Sequence, residues 1–451
     1  MKTFKSVGVV ASFFVILVAV IFFFRYAGAE EVVNEEASSG EETKNVIFMI
    51  PDGFSAGYAT NYRIYKGEET IFDQMLVGMM KTYSEDNWVT DSAAAGTAMA
   101  TGVKTNNGMI SVSSDGEELK TILEAANEAG KSTGLIATST ITHATPAVFA
   151  SHVESRGSEA EIALQMIEKV DVLLGGGKSN FLPESEGGTQ PKQHVVEEAM
   201  MKGFQFVETR DELLAIQEDY PKLLGLFAAD AMASELERES TTNEPSLAEM
   251  TEVAIQTLSK QENGFFLMVE GSQIDWAGHA HDAAWAMTDT EAFEAAIQKA
   301  IEFAEQDGNT LVVVAGDHET GGMTVGGYDE YLANVDILHD VSATGNYMAS
   351  QLNEERSNAH DVLVRYTNIE LTKEEEERIM EASDEVLVIV INEIVSERAY
   401  VGWSTTAHTG VDVPLYAYGP SSHLFHGVLN NTDIPKRIAK AMKLELNVEN
   451  H

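Results

Sequence analysis

An α/β fold is the architecture that the sequence predicts, and three observations support the prediction. Apolar runs of four to six residues recur along the chain and alternate with longer segments of helical periodicity. Several of these runs end at an acidic residue or a histidine, and open α/β sheets place their ligands at the carboxyl ends of strands. The chain has 451 residues, 44% of them hydrophobic, which is enough for one large α/β domain with insertions or for two ordinary domains.

Residues 1–29 are predicted to be a signal peptide. Two lysines precede an apolar run at 7–24, and Ala27-Gly28-Ala29 provides a small-residue cleavage site. Because the run is long for a signal peptide and short for a membrane span, an uncleaved anchor that tethers the chain to a membrane is the alternative. Both interpretations predict an exported protein that is periplasmic, extracellular or held at the cell surface.

Residues 30–44, EEVVNEEASSGEETK, are predicted to be an acidic linker before a folded region at 45–451. The formal net charge of −43 disfavours a nucleic acid as a polyelectrolyte partner, because such a surface repels DNA and anionic lipid. The chain has no cysteine, so it has no disulfide framework and relies on its apolar core for stability.

The first predicted strand is the apolar run at 45–50, NVIFMI, which ends in Pro51-Asp52-Gly53. Asp52 therefore stands at the carboxyl end of a strand, where a ligand-binding carboxylate is expected. A turn aspartate before a glycine explains the same motif, and the motif alone does not decide between the two interpretations.

The alanine-rich segment at 90–102 predicts a helix with Thr90 or Asp91 as its N-cap and Ser92 in its first turn. Free backbone N–H groups and the helix dipole favour an anionic phosphoryl group at this end. A serine at a helix start is usually only a cap. The residues after Ser92 are almost all small, however, and would let a second molecule approach, which favours Ser92 as a nucleophile.

A strand predicted at 134–137 leads to His143 and Thr145, which again follow the end of a strand. Arg156 comes eleven residues after Thr145, and its fork-shaped guanidinium suits the oxygens of a phosphate. Residues 160–260 are predicted to be mostly amphipathic helix with short breaks, and 174–179, LGGGKS, an irregular loop.

The stretch at 265–279, FFLMVEGSQIDWAGH, holds three groups able to bind a metal. A predicted strand at 265–269 ends at Glu270, and a helical turn places Asp275 and His279 on one face, since they are four residues apart. A helix is predicted at 288–305.

The strand predicted at 310–315 ends in a glycine-rich segment that holds the pair Asp317 and His318. Residues 324–403 are predicted to be an inserted lobe, lying over the site or against a partner subunit. The core resumes at 403–410, which contains His408, and closes with a strand at 415–418 and a helix at 434–444.

The predicted metal ligands are the side chains of Asp52, Glu270, Asp275, His279, Asp317, His318 and His408, with Thr145 able to add an oxygen. Three histidines with carboxylates suit zinc, whereas the oxygen-only set of Asp52, Thr145 and Glu270 suits magnesium. Two cations about 3.5–4 Å apart form the clamp used for in-line phosphoryl displacement.

Six motifs between about residue 45 and the C-terminus, taken in order, resemble those of the bacterial branch of the zinc-dependent alkaline phosphatases. They are PDG at 51–53, TDSAAAGTAMATG at 90–102, THATP at 142–146, EGSQIDWAGH at 270–279, GDHETGG at 316–322 and AHTG at 407–410. The resemblance implies a three-layer sandwich, in which helices flank a large, mostly parallel central sheet, with the inserted lobe added. It also implies hydrolysis of small phosphate monoesters and a homodimer.

The resemblance further implies a role for each residue. Ser92 is the nucleophile that becomes a phosphoserine, and Arg156 grips the phosphate. Two zinc ions and one magnesium ion are implied, with the ligand sets Asp275, His279 and His408; Asp52, Asp317 and His318; and Asp52, Thr145 and Glu270. Trp276 replaces a lysine of the enteric enzyme and His143 an aspartate, so we expect a weaker hold on phosphate and a looser magnesium site.

Two alternatives remain beside this interpretation. A phosphodiesterase or phosphonate hydrolase of the same superfamily usually carries a threonine nucleophile and lacks the magnesium pair Thr145 and Glu270. A non-catalytic metal-binding surface protein needs neither Ser92 nor Arg156, and the chain has both.

Overall fold

A sheet of ten strands runs through the protein, whose computed structural model describes residues 43–216 and 221–446. The described residues contain fourteen strands, ten of them in this sheet and four in two small two-stranded sheets. In chain order they are β1 Asn45–Pro51, β2 Leu76–Lys81, β3 Ser132–Thr140, β4 Val172–Gly176, β5 Gln205–Val207, β6 Leu223–Leu226, β7 Phe265–Gly271, β8 Thr310–Ala315, β9 Glu319–Thr320, β10 Thr324–Val325, β11 Val401–Gly402, β12 His408–Thr409, β13 Val413–Tyr418 and β14 Gly427–Asn430. The order across the large sheet is β14-β2-β13-β8-β1-β7-β3-β4-β6-β5. All its strands are parallel except β13, which runs antiparallel to both of its neighbours. The predicted large, mostly parallel sheet is therefore confirmed.

Helices cover both faces of the sheet, which makes three layers. In β1 the side chains of Val46 and Phe48 pack into one apolar core, and those of Ile47 and Met49 pack into the other. Because successive side chains of a strand point to opposite faces, a strand buried on both sides is apolar throughout. This explains why β1 reads as a continuous apolar run.

The helix bounds of the described residues are Ala56–Lys66, Ile71–Met75, Ser92–Thr101, Ile122–Glu128, Ala144–Ala150, Glu159–Lys169, Val195–Met201, Arg210–Leu214, Glu235–Thr241, Leu247–Leu258, Gln273–His279, Ala283–Asp307, Gly345–Ser350, Ala359–Thr367, Lys373–Glu381, Leu387–Ala399 and Asp433–Met442. Four short 3-10 helices are added at Lys178–Phe181, Glu184–Glu186, Val335–Asp340 and Ser422–Phe425. The helix predicted at 288–305 is thus longer at both ends.

The prediction of mostly helix at 160–260 is wrong, because β4, β5 and β6 lie in this range and extend the sheet. The first residues of the predicted loop at 174–179 also belong to β4. Glycine is required there by close contacts: a Cβ on Gly176 would lie 2.2 Å from the carbonyl oxygen of Asp230, and one on Gly175 would lie 2.9 Å from that of Ala137. These glycines interrupt the apolar pattern by which a strand is recognised.

Residues 335–399 form helices that pack partly against each other around a small apolar core of their own, which includes Leu363, Ile379 and Ile391. A capping box begins the helix Lys373–Glu381, since the Thr372 hydroxyl accepts from the Glu375 backbone and the Glu375 carboxylate accepts from the Thr372 backbone. The assignment of 324–403 as an inserted lobe stays a prediction.

The predicted signal peptide at 1–29 and all but the last two residues of the predicted linker at 30–44 lie outside the described residues. Within the described ranges, no helix has both the length and the apolar character needed to cross a membrane.

We expect Val313→Ala, in the middle of β8, to lower the free energy of unfolding by about 2 kcal/mol, because two methyl groups leave a buried site and a cavity remains. Val428→Ala on the edge strand β14, where the side chain is 60% exposed, is the matched control and should change it by less than about 0.5 kcal/mol. Urea unfolding of both variants measures the difference. Equal losses would contradict the buried position of β8.

Candidate metal centre and active site

The predicted ligands come from adjacent strands of the sheet. Asp52 follows β1 and Glu270 lies near the end of β7, while Asp317 and His318 follow β8; β1 lies between β7 and β8. Because these strands are parallel, their carboxyl ends meet at one edge of the sheet. Four chemically active side chains are thereby brought to one place.

Ser92 is the first residue of the helix Ser92–Thr101. Asp91 is its N-cap and accepts a hydrogen bond from the backbone N–H of Ala94 at 2.9 Å. The Ser92 hydroxyl lies 3.1 Å from His318 Nε2 and is almost fully buried. This helix packs closely on the helix Ala144–Ala150, which carries Thr145. Glycine at position 96 makes the contact possible, because a Cβ on Gly96 would lie 2.8 Å from a methyl group of Val148.

Asp275, His279 and His408 form the first group of ligands. The Nδ1 atoms of His279 and His408 each donate to a backbone carbonyl, at 2.6 and 2.8 Å, so each neutral ring keeps a lone pair on Nε2. These two Nε2 atoms are 3.2 Å apart, and they lie 3.4 and 3.5 Å from the Asp275 carboxylate.

Facing lone pairs at this distance repel each other unless a cation lies between them. Zinc binds imidazole nitrogen at about 2.0–2.1 Å, and tetrahedral geometry then separates two ligand atoms by about 3.3–3.4 Å. The observed Nε2–Nε2 separation of 3.2 Å is close to that value, and an Asp275 oxygen lies within 3.5 Å of each nitrogen, so these donors fit a zinc ion.

Asp52, Asp317 and His318 form the second group, and all three are buried. His318 Nε2 lies 3.2 Å from Asp317 Oδ2 and 3.5 Å from Asp52 Oδ1. The His318 ring also stacks on His408 with centroids 3.6 Å apart, and its nitrogen is near enough to Asp275 to share a metal with Asp275 and His408. His318 therefore stands between the two groups.

An oxygen-only group adjoins the second one. The Thr145 hydroxyl donates to Asp52 Oδ2 at 3.1 Å, and Glu270 pairs across the sheet with Ile50, two residues before Asp52. In the part of the chain that the structure describes, both carboxylate oxygens of Glu270, Asp52 Oδ1 and Asp317 Oδ2 are buried without a hydrogen-bond partner. Buried carboxylates without partners are costly, and hard cations such as magnesium satisfy them.

Burial of these carboxyl groups changes their acidity. It raises the pKa of Glu270 to about 8 and that of Asp317 to about 7, and the charge of Asp275 adds to the effect on Asp317. Burial and the Asp317 carboxylate likewise raise the pKa of Asp52. Burial acts in the same direction on Asp275, but hydrogen bonding to His279 and the other imidazoles hold its pKa below the ordinary value.

Arg156 lies at the side of the site in a fixed orientation. Its guanidinium donates to Asp91 Oδ2 and to His143 Nε2, each at 3.0 Å. Burial and Arg156 lower the pKa of His143 to about 4, so His143 is neutral and accepts this bond. The Trp276 ring meets His143 edge to face with centroids 6.1 Å apart. All twelve residues singled out from the sequence thus lie in or beside one site.

Two residues of the site were missed from the sequence. Asp91 was considered only as a helix cap, yet its second oxygen also binds Arg156 and the backbone N–H of Gly108. Thr320 donates to Asp275 and lies 3.3 Å from His318 Nδ1. Its sequence signal is its position in the same glycine-rich segment, GDHETGG, that holds Asp317 and His318.

Comparison with known proteins gives one consistent family. The family described as alkaline phosphatase matches residues 43–444. Alkaline phosphatase 3 of Bacillus subtilis (strain 168) is 43% identical over 431 residues, covering 90% of this chain and 91% of that protein. The repressible alkaline phosphatase of Saccharomyces cerevisiae is 34% identical, covering 91% and 83%.

Two solved structures also match over most of their length. The cold-active alkaline phosphatase from the psychrophile Shewanella sp. is 34% identical with a TM-score of 0.80, covering 88% of this chain and 99% of that one. The Thermus thermophilus alkaline phosphatase is 28% identical with a TM-score of 0.83, covering 93% and 96%.

We expect metal-stripped protein to lose thermal stability as the pH rises from 5 to 8.5. The pKa values of Glu270 and Asp317 are about 8 and 7 in the folded chain, against 4.5 and 3.8 for the free groups. A raised folded-state pKa contributes stability that is complete below the unfolded-state value and is lost as the pH rises through the folded-state value. Scanning calorimetry should show the Tm falling by several degrees over this range.

Zinc and magnesium should remove most of this loss, because the cations stabilise the ionised carboxylates. Glu270→Gln is the control variant: the glutamine cannot ionise, so the pH dependence of the stripped protein should become smaller and only the part due to Asp317 should remain. Identical pH profiles for stripped and metal-loaded protein would contradict the interpretation of the unpartnered oxygens as metal ligands.

Proposed function

The chain belongs to the alkaline phosphatase family, and from that premise we propose how its own residues carry out the hydrolysis of phosphate monoesters. It is a metalloenzyme that removes phosphate from phosphate esters. We propose that Ser92 attacks the phosphorus, that the ester oxygen leaves with the alcohol, and that water then cleaves the phosphoserine to release inorganic phosphate. The supporting observation is the Ser92 hydroxyl 3.1 Å from His318 Nε2, because His318 belongs to both groups of side chains that could hold a metal ion.

We assign the metals by the chemistry of the donors. Asp275, His279 and His408 would hold one zinc ion, Asp52, Asp317 and His318 a second, and Asp52, Thr145 and Glu270 a magnesium ion. When bound, the zinc ions lower the pKa of the serine hydroxyl and stabilise negative charge on the leaving oxygen. The magnesium assignment is supported by the two unpartnered oxygens of Glu270.

The protein's own groups orient the phosphoryl group. Ser92 lies at a helix N-terminus, where the helix dipole favours negative charge. Arg156 supplies a bidentate donor for two non-bridging oxygens, and Asp91 and His143 fix its direction before the substrate arrives. Neither His143 nor Trp276 is positively charged, so Arg156 is the cationic side chain that we propose contacts phosphate on this side of the site.

The N-terminal sequence supports a further part of the proposal. We infer that the chain is exported, on the basis of the two lysines, the apolar run at 7–24 and the small residues at 27–29. An exported enzyme would meet phosphate monoesters outside the cytoplasm.

Ser92→Ala should lower kcat for p-nitrophenyl phosphate by at least ~10³-fold while leaving the zinc content unchanged, because the nucleophile is lost but no ligand is. Bis(p-nitrophenyl) phosphate assayed in parallel tests the diesterase alternative, and Ser84→Ala, which removes a hydroxyl outside the site, is the matched control. Elemental analysis measures the zinc. Full activity in Ser92→Ala would remove the covalent mechanism, and a preference for the diester would favour the alternative.

Arg156→Lys should lower kcat/KM about 10–100-fold, because lysine keeps the charge but lacks the planar fork that binds two oxygens. Arg63→Lys is the control. Arg63 also donates to a carboxylate, that of Asp73, but this contact is exposed on the surface and involves no residue of the site. Steady-state kinetics on p-nitrophenyl phosphate compares the two. Equal effects would show that the Arg156 contact with phosphate is not the cause.

A further inference from the structure

The turn at 280–282 follows directly on His279 and joins two helices, Gln273–His279 and Ala283–Asp307. Its middle residue, His281, has φ 54, in the left-handed region that is unfavourable for a residue with a side chain. Such a conformation persists when surrounding contacts enforce it. This turn is also the first stretch of backbone on the C-terminal side of His279, so its conformation affects the position of His279.

A distant helix supplies contacts to the turn. Asn392 Nδ2 donates to the carbonyl oxygen of Ala280 at 2.8 Å, and Ser396 Oγ donates to that of His281 at 3.1 Å. The two donors stand four residues apart on the helix Leu387–Ala399, so they share one face of it. Both are buried, with 2% and 0% of their surfaces exposed.

Gly345 packs against both Asp282 of the turn and the side chain of Asn392. The backbone N–H of Gly345 donates to Asp282 Oδ2 at 2.9 Å. A Cβ at Gly345 would lie 2.0 Å from Asn392 Oδ1, so the amide of Asn392 lies directly against this glycine. The orientation of Asn392 is therefore fixed, and its NH₂ group points at the turn.

A second link connects the same helix to the imidazole of His279. The Trp403 ring stacks on His281, with centroids 5.1 Å and planes 5° apart, and its Nε1 donates to Ser396 Oγ at 3.0 Å. Two residues later, Thr405 O lies 2.9 Å from His281 Nε2, and the next carbonyl accepts from His279 Nδ1. His279 is thus held through its backbone on one side and through its ring on the other.

We propose that Asn392 and Ser396 are positioning residues for the zinc site formed by Asp275, His279 and His408. They touch neither metal nor substrate and act by fixing the turn after His279. The inference rests on the proposed zinc assignment. Loss of groups that orient a metal ligand typically weakens metal binding 10–100-fold, and a buried donor removed from a backbone carbonyl is expected to act in this way.

The test is the release of zinc from the loaded protein to the coloured chelator 4-(2-pyridylazo)resorcinol. We expect Asn392→Ala to release one equivalent of zinc about tenfold faster, with the second equivalent leaving at the wild-type rate. Ser396→Ala should act in the same direction. Asn392→Leu keeps the volume of the side chain without its donor and should match Asn392→Ala, which separates the hydrogen bond from the packing.

Thr367→Val is the matched control, because it removes a buried hydroxyl that bonds Leu363 O within its own helix and does not touch the turn. It should release both equivalents at the wild-type rates. Wild-type release in both Asn392 variants would overturn the proposal, and so would equal acceleration of both equivalents, which indicates general loosening of the fold. A wild-type protein that takes up no zinc would instead contradict the proposed function, and with it this inference.

Discussion

Four carboxylates buried at one edge of the sheet are the constraint on which the rest of the structure depends. Asp52, Glu270, Asp275 and Asp317 are each at most 5% exposed. The nearby guanidinium of Arg156 is already engaged by Asp91. Charges of one sign in a medium of low polarity raise the energy of the folded chain unless cations are bound. We therefore expect metal binding and folding to be coupled in this protein, because bound cations would stabilise these buried carboxylates in the folded chain.

The parallel sheet makes this concentration of charge possible. Central strands that run the same way end at one edge, so each contributes a side chain without a long loop. The close packing of the helix Ser92–Thr101 on its neighbour brings the Ser92 hydroxyl to the same edge. The antiparallel strand β13 lies between β8 and β2 and follows β12, which carries His408. The site thus has rigid elements behind most of its groups.

The sequence was informative where the signal was local. The strand at 45–51 is a continuous apolar run that ends in Asp52, and its burial on both faces explains the pattern. The strand Val172–Gly176 was missed because its glycines meet backbone atoms of neighbouring segments, a requirement set by tertiary packing. Individual site residues could be named, but the contact between Asn392 and Ala280 joins positions 112 residues apart and has no local pattern. Likewise, the dual role of Asp91 depends on Arg156, which the fold alone brings near.

The fixed guanidinium of Arg156 has a consequence for substrate breadth. An arginine side chain that becomes ordered only on binding gives up about 2 kcal/mol of rotamer entropy at that moment. Here Asp91 and His143 already hold the guanidinium in the folded chain, so the proposed contact with the phosphoryl group would not have to order it. If Arg156 binds phosphate as proposed, we expect the enzyme to accept esters of many different alcohols and to select substrates by the charge and shape of the transferred group.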